Sequence, residues 1–233
     1  MLLRRCTGAL QRGEAISEYS PQQLIEGYIA ACGLRSGHPA NVSFGANAAD
    51  PHYEPSATQS ATLERGQCVL IDLWAQEEGR PYADVTWVGY AGIPDPEYLR
   101  AFAAVTQARD LALRLLQRGE AQWGWQVDCA AREVLREAGF GEHLAHRLGH
   151  SLGVELHGAA VNLDDLETHD TRRLLPGLAV TIEPGVYPGR FGIRSEINVL
   201  LCEGGAQLTT PLQRAPFVLG GPQSWEEVRT AAL

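Results

Sequence analysis

Cys68-Val69-Leu70-Ile71-Asp72-Leu73-Trp74 (residues 68–74) and Tyr82-Ala83-Asp84-Val85-Thr86-Trp87-Val88 (residues 82–88) are two apolar runs of strand length. The turn-forming Glu77-Glu78-Gly79-Arg80-Pro81 between them predicts a hairpin. Each run carries an aspartate among apolar neighbours. Acids are depleted from strands, because burying an unpaired carboxylate is costly. Two more acids share this setting: Glu183 after Ala179-Val180-Thr181-Ile182, and Glu196 before Ile197, Val199 and Leu200. Singly, each reads as a strand-end residue facing water. Together, the economical reading is one cation site that neutralises all four.

The histidines point the same way. Four of the seven, His143, His146, His150 and His157, fall within one short stretch. Gly149 and Gly153 flank His150, which suits a close backbone approach to a site. A lone histidine is more often structural, but a cluster in a glycine-bearing segment shifts that balance. Oxygen-rich ligation with one imidazole favours Mn²⁺, Co²⁺ or Fe²⁺ and admits Zn²⁺; it excludes soft, cysteine-rich sites.

Outward from these motifs, the chain reads as an α+β domain. Leu2 to about Arg12 reads as a short helix. Ser20-Pro21 predicts the start of a helix that runs to about Cys32 and stops at Gly33. Asp95-Pro96 opens a third helix that continues to about Arg118. Its apolar face is expected at Leu99, Phe102, Ala103, Val105, Leu111 and Leu115. A fourth spans about Trp125 to Ala138 and ends at Gly139. Leu178 to Glu183 and Gly192 to Cys202 read as strands, with a turn at Gly204-Gly205.

Composition narrows the chemistry. The 233 residues carry 19 basic and 28 acidic side chains, a net charge of −9, and every basic one is arginine. Without lysine, Schiff-base and pyridoxal chemistry and the Walker A phosphate loop are excluded. The acidic balance and the lack of any basic run longer than two residues argue against nucleic-acid binding. No apolar run reaches the length of a membrane span, and no secretory signal is seen. The five cysteines are scattered, without metal or redox spacing. They read as reduced, mostly buried thiols of a cytoplasmic protein.

The order Asp72, Asp84, His150, Glu183, Glu196 resembles the five-ligand set of the pita-bread metallopeptidases, family M24. That family includes methionine aminopeptidase, aminopeptidase P, prolidase and creatinase. The contexts are similar too. Pro51-His52-Tyr53 resembles the His-Tyr of the Xaa-Pro branch, and Gly149-His150-Ser151-Leu152-Gly153 the histidine motif. Ile182-Glu183-Pro184-Gly185-Val186-Tyr187 and Gly192-Ile193-Arg194-Ser195-Glu196 resemble the two glutamate motifs. The resemblance covers roughly residues 15–210.

It implies two pseudo-symmetric α+β halves, with helices outside a curved antiparallel sheet and two divalent metal ions, manganese first, at its centre. Asp84 and Glu196 would bridge the metals, Asp72 would complete one shell, and His150 with Glu183 the other. Water between the metals would be the nucleophile. Glu183 would shuttle its proton, His157 would bond the scissile carbonyl or tetrahedral oxygen, and His52 would steady the substrate. His146, Tyr187 and Arg194 would line the substrate pocket. The implied activity is an exopeptidase that removes an N-terminal residue preceding proline from a dipeptide or short peptide. A homodimer is implied as well.

The chain also departs from the family. Only 51 residues precede His52. The expectation is therefore a single catalytic domain over residues 1–233, its first helix cut short within 1–14 and no creatinase-like domain before it. Thr86-Trp87-Val88 stands where Thr-Arg-Thr is common, and Gly158 where an acid often follows the histidine at 157. These bear on substrate choice. The alternatives are a methionine-aminopeptidase-like enzyme, a creatinase-like C–N hydrolase, and a peptide-binding member of the fold without catalysis.

Overall fold

The structure, a computed structural model, describes residues 2–220. Helix α1 (Leu2–Arg12) is followed by α2 (Tyr19–Ala31). Helix α2 begins one residue before the expected Ser20, with Glu18 at the capping position. The side chain of Glu18 does not cap the helix; it turns into the interior. The helix ends as expected, at Gly33 in the left-handed region (φ +73°).

The first sheet holds β1 (Asn41–Phe44), β2 (Cys68–Ala75) and β3 (Ala83–Ala91). Strands β2 and β3 form the expected antiparallel hairpin, with Asp72 opposite Thr86 and Trp74 opposite Asp84. Strand alternation puts Cys68, Leu70 and Asp72 on the inner face with Asp84, Thr86 and Val88. Val69 and Ile71 face outward, where they pack with Cys6, Ile25 and Ile29 of α1 and α2.

Helices α3 (Pro96–Gln117) and α4 (Gly124–Glu137) lead to the second half. Asp95 caps α3, accepting a hydrogen bond from the Tyr98 N–H at 2.8 Å. The buried stripe of α3 includes Phe102 and Val105 as expected but is otherwise rotated from the one expected. It runs through Tyr98, Ala101, Val105, Ala108, Ala112 and Leu116, while Leu99 is 45% exposed. The helical period fits the observed series. The large apolar residues misled because alanines, which let a helix approach closely, form much of the buried face.

The second sheet orders β4 (Ser151–Leu152), β5 (Ala179–Ile182), β8 (Ile197–Cys202) and β9 (Gly205–Leu208). Between β5 and β8, β6 (Gly185–Val186) and β7 (Ile193–Arg194) make a small two-stranded ladder. The strand expected over Gly192–Cys202 is thus two strands, broken at Ser195-Glu196. There the Glu196 N–H leaves its own half and bonds the Thr86 carbonyl at 3.1 Å. The last strand, β10 (Phe217–Leu219), returns to the first sheet and pairs parallel with β3, an exception to the antiparallel expectation.

All five cysteines are free, but only Cys6 and Cys68 are buried; Cys32, Cys129 and Cys202 are exposed at element ends or outer faces. Gly149 makes the close approach expected of it, since a Cβ there would lie 2.1 Å from the Thr181 carbonyl oxygen. Gly153 does not: its nearest neighbour would be 3.9 Å away.

Replacing Asp95 by alanine removes both the α3 cap and the acceptor for the Tyr90 hydroxyl, 3.1 Å away. We expect a loss of about 1–2 kcal/mol, read as a lower urea midpoint with unchanged slope.

Candidate metal centre

The two sheets meet at one point. The Asn198 side chain on β8 accepts from the Asp84 N–H at 2.9 Å and donates to the Asp84 carbonyl at 2.6 Å. Glu183 and Glu196 stand one step past the final Ile182–Ile197 pair of the β5–β8 ladder. His150 is laid alongside by backbone bonds: its carbonyl accepts from Thr181 N–H at 2.8 Å, and Leu148 carbonyl accepts from Glu183 N–H at 2.7 Å. Four separate chain segments therefore deliver Asp84, His150, Glu183 and Glu196 to one place.

Asp84, His150 and Glu196 are all buried, and each offers a ligand atom within 4.8 Å of the other two. His150 Nδ1 faces the Ser151 carbonyl at 3.1 Å. A carbonyl only accepts, so Nδ1 carries the proton and Nε2 faces the acids. Nε2 lies 3.5 Å from Asp84 Oδ2 and 3.4 Å from Glu183 Oε1. Asp84 Oδ1 and Glu196 Oε1 are buried without a hydrogen-bond partner among the described residues.

The electrostatics reflect crowded anions. Burial, with the charges of Asp72 and Glu183, pushes the Asp84 carboxyl up to about 7. Burial and the neighbouring acids push Glu196 well above the carboxylate range. Burial alone would lower the pKa of His150, but the bond to Asp84 and the charges of Glu183 and Asp84 outweigh it and raise it. Buried, unpartnered oxygens with a histidine nitrogen turned toward them suit a divalent cation, so the donor set fits a metal.

Asp72 is the exception, because it already has a cation. Its carboxylate is paired with the Arg194 guanidinium and lies 2.8 Å from the Thr86 hydroxyl. The same hydroxyl is 2.8 Å from Glu196 Oε2 and accepts from Arg194 Nε at 2.9 Å. A hydroxyl has one proton, so Thr86 donates to only one of the two carboxylates at a time.

The cluster opens into a cavity of about 430 Å³, lined also by His52, His146, Arg147, His157, Asn41 and Trp74. The His157 ring stands edge-on to His150, centroids 4.4 Å apart. Burial and the His150 charge lower its pKa. His146 Nδ1 is 2.7 Å from the Arg147 carbonyl and must donate to it, which leaves Nε2 as acceptor. The Tyr187 hydroxyl, 2.7 Å away, donates there and accepts from Arg194 Nη1 at 3.1 Å. Arg194 lines the cavity but is 4% exposed, its guanidinium held by Thr86, Tyr187 and Asp72. Tyr187 is not among the lining residues and backs His146 instead. His169 and Glu155 are exposed, and His143 is half-buried, its carbonyl accepting from the Tyr187 N–H at 2.9 Å.

Sequence reasoning gave no role to Thr86, Asn198, Asn41 or Trp74. Period-2 spacing from Asp84, Glu196 and Asp72 puts Thr86, Asn198 and Trp74 on the same strand faces as the acids, and was the available signal. Asn41 Oδ1 and Trp74 Nε1 are buried without a partner among the described residues. Trp87 alternates to the opposite face and packs its ring 5.5 Å from that of Phe217.

An acid–histidine cluster between two sheets, with helices outside, defines the pita-bread class. The fold superposes on the X-Pro aminopeptidase of Thermotoga maritima with a TM-score of 0.77 and 31% identity, over 93% of this chain and 60% of that one. The chain belongs to metallopeptidase family M24, whose model matches residues 2–203. It is 35% identical over 168 residues to the probable dipeptidase PepE of Mycobacterium tuberculosis, 71% of this chain and 42% of that protein. It is 31% identical over 174 residues to the Xaa-Pro dipeptidase of Pyrococcus furiosus, 74% of this chain and 47% of that protein. The chain thus spans about half the length of the curated relatives it matches.

Removing one anion should relieve the repulsion. At a pH above about 7, where Asp84 is ionised, we expect a metal-depleted Asp84→Asn chain to melt higher than the metal-depleted parent, by about 2–4 °C for each kcal/mol relieved, and Glu196→Gln, whose carboxyl is already held well above the carboxylate range, to shift the melt less. Both should also retain less manganese after dialysis, measured by elemental analysis.

Proposed function

We propose that the chain is a metal-dependent exopeptidase that hydrolyses the bond after an N-terminal residue preceding proline, on dipeptides or short peptides. The observation that carries this is the buried, unpartnered oxygens of Asp84 and Glu196 beside His150, at the floor of a cavity flanked by His52 and His157. Relatives named Xaa-Pro dipeptidase and X-Pro aminopeptidase support the substrate class.

Asp72, Asp84, His150, Glu183 and Glu196 would hold two divalent ions, and the oxygen-rich set suits manganese first, then cobalt, iron or zinc. Bound there, the ions supply Lewis acidity toward the scissile carbonyl and the attacking water. The chain's own groups do the rest. Glu183 is kept ionised: burial pushes its carboxyl up, but the charges of His150, His146 and Arg194 outweigh this and lower it. Its carboxylate takes the proton of the attacking water and returns it to the proline nitrogen as the bond breaks. His157, its pKa lowered, is neutral at pH 7 and donates an N–H to the carbonyl oxygen as negative charge develops. His52 approaches from the first half and steadies the substrate. Tyr187 and Arg194 orient His146 and Asp72 from behind.

The test is release of free amino acid from Xaa-Pro dipeptides and longer Xaa-Pro peptides with added Mn²⁺ or Co²⁺. Activity should vanish with a chelator, and His157→Ala should lower kcat about 100-fold. No release from either peptide length, with turnover of Met-Ala peptides, would replace this reading by a methionine-aminopeptidase-like one.

A further inference from the structure

Glu18 is fully buried, and nothing in the mechanism above uses it. Its carboxylate accepts from the Phe44 N–H at 2.6 Å, the Asn47 side-chain amide at 3.1 Å, the Tyr53 hydroxyl at 2.6 Å and the Ala61 N–H at 2.6 Å. These donors bracket one segment: its entry at the end of β1, its first turn, its middle and its exit. The exit is tied down again, because the Glu18 N–H donates to the Ala61 carbonyl at 3.0 Å. On its other side the segment packs against the approach to β7, which carries Arg194. A Cβ on Gly192, two residues before Arg194, would lie 1.7 Å from the Ala48 carbonyl oxygen.

His52 rides on this segment, next to Tyr53. Its side chain is exposed at the cavity, and its backbone N–H bonds Asp50 at 2.9 Å. Its place is therefore given by the segment, and the segment is gathered on one carboxylate. A carboxylate suits that point. A carboxylate is acceptor-only and meets every donor, whereas the amide of a glutamine would turn N–H groups toward some of them.

We propose that Glu18 is a positioning residue, which holds His52 over the cavity through Tyr53 and the two ends of the 44–61 segment. This rests on the role given to His52 above. It adds a determinant of substrate handling that lies outside the cavity, at the start of α2.

A double-mutant cycle on the peptide that the parent chain cleaves fastest tests it, with metal content measured alongside. Glu18→Gln and His52→Ala should each lower kcat/KM about tenfold, and the double variant should be no worse than His52→Ala alone. Tyr53→Phe removes one donor and keeps the fold. It should give a smaller loss that also disappears in the His52→Ala background, and it carries the cycle if Glu18→Gln does not fold. Metal per chain should stay at the parent value in all variants. Losses that multiply would overturn the proposal, since a general loosening of structure acts independently of His52. If His52→Ala leaves kcat/KM unchanged, the role of His52 falls and this proposal with it. A parent chain without turnover on any peptide sinks the peptidase reading first.

Discussion

The backbone of β3 is clamped to β8 at Asp84. Asn198 takes both the N–H and the carbonyl of that residue, and the next inward-facing residue, Thr86, takes the Glu196 N–H on its carbonyl. The clamp prevents the two sheets from sliding, and it sets the carboxylates of Asp84 and Glu196 side by side. Burying an ion costs several kcal/mol even after relaxation, and a second like charge adds to that cost. Much of the surrounding structure responds to this charge. Arg194 offsets Asp72, Thr86 spans Asp72 and Glu196, and His150 turns Nε2 toward Asp84 and Glu183. Two oxygens still lack a partner among the described residues, and a metal ion meets that deficit with charge.

What the sequence made legible followed from local physics. The β2–β3 hairpin was readable because its turn residues separate two apolar runs. The ends of α2 and α4 were readable because Gly33 and Gly139 take a backbone conformation that other residues avoid. The acids of the cluster stood out because strands rarely bury carboxylates. Other features depend on partners far along the chain. The break at Ser195-Glu196 exists because Glu196 pairs with Thr86, 110 positions away, and no local signal encodes that. The buried face of α3 was misjudged because alanines carry little hydrophobic weight in a sequence pattern yet permit the closest packing. Glu18 was invisible for a different reason. An acid just ahead of a helix is ordinary, since it complements the helix dipole, and its inward turn is decided by donors at residues 44–61.

The missing lysine also gains a structural side. Two buried arginines show what the guanidinium adds, since each fixes geometry as well as charge. Arg194 engages Thr86, Tyr187 and Asp72 at once. Arg109, 2% exposed, spans the Ser195 hydroxyl at 2.6 Å and the Gln213 carbonyl at 2.8 Å, and so holds the bend next to Glu196 from the α3 side. A single ammonium lacks the planar fork that makes such multiple engagement possible.

The return of β10 to the first sheet has a consequence for how the molecule is made. Strand β3 receives its parallel neighbour from residues 217–219, after the whole second half has been threaded. Until then its edge presents unpaired backbone groups, and Leu219 is missing from the layer beneath α1 and α2. The complete first sheet therefore needs residues that follow the whole second half. The strand that completes the first sheet lies more than 120 residues along the chain from its neighbour, and pairing over so long a loop is intrinsically slow.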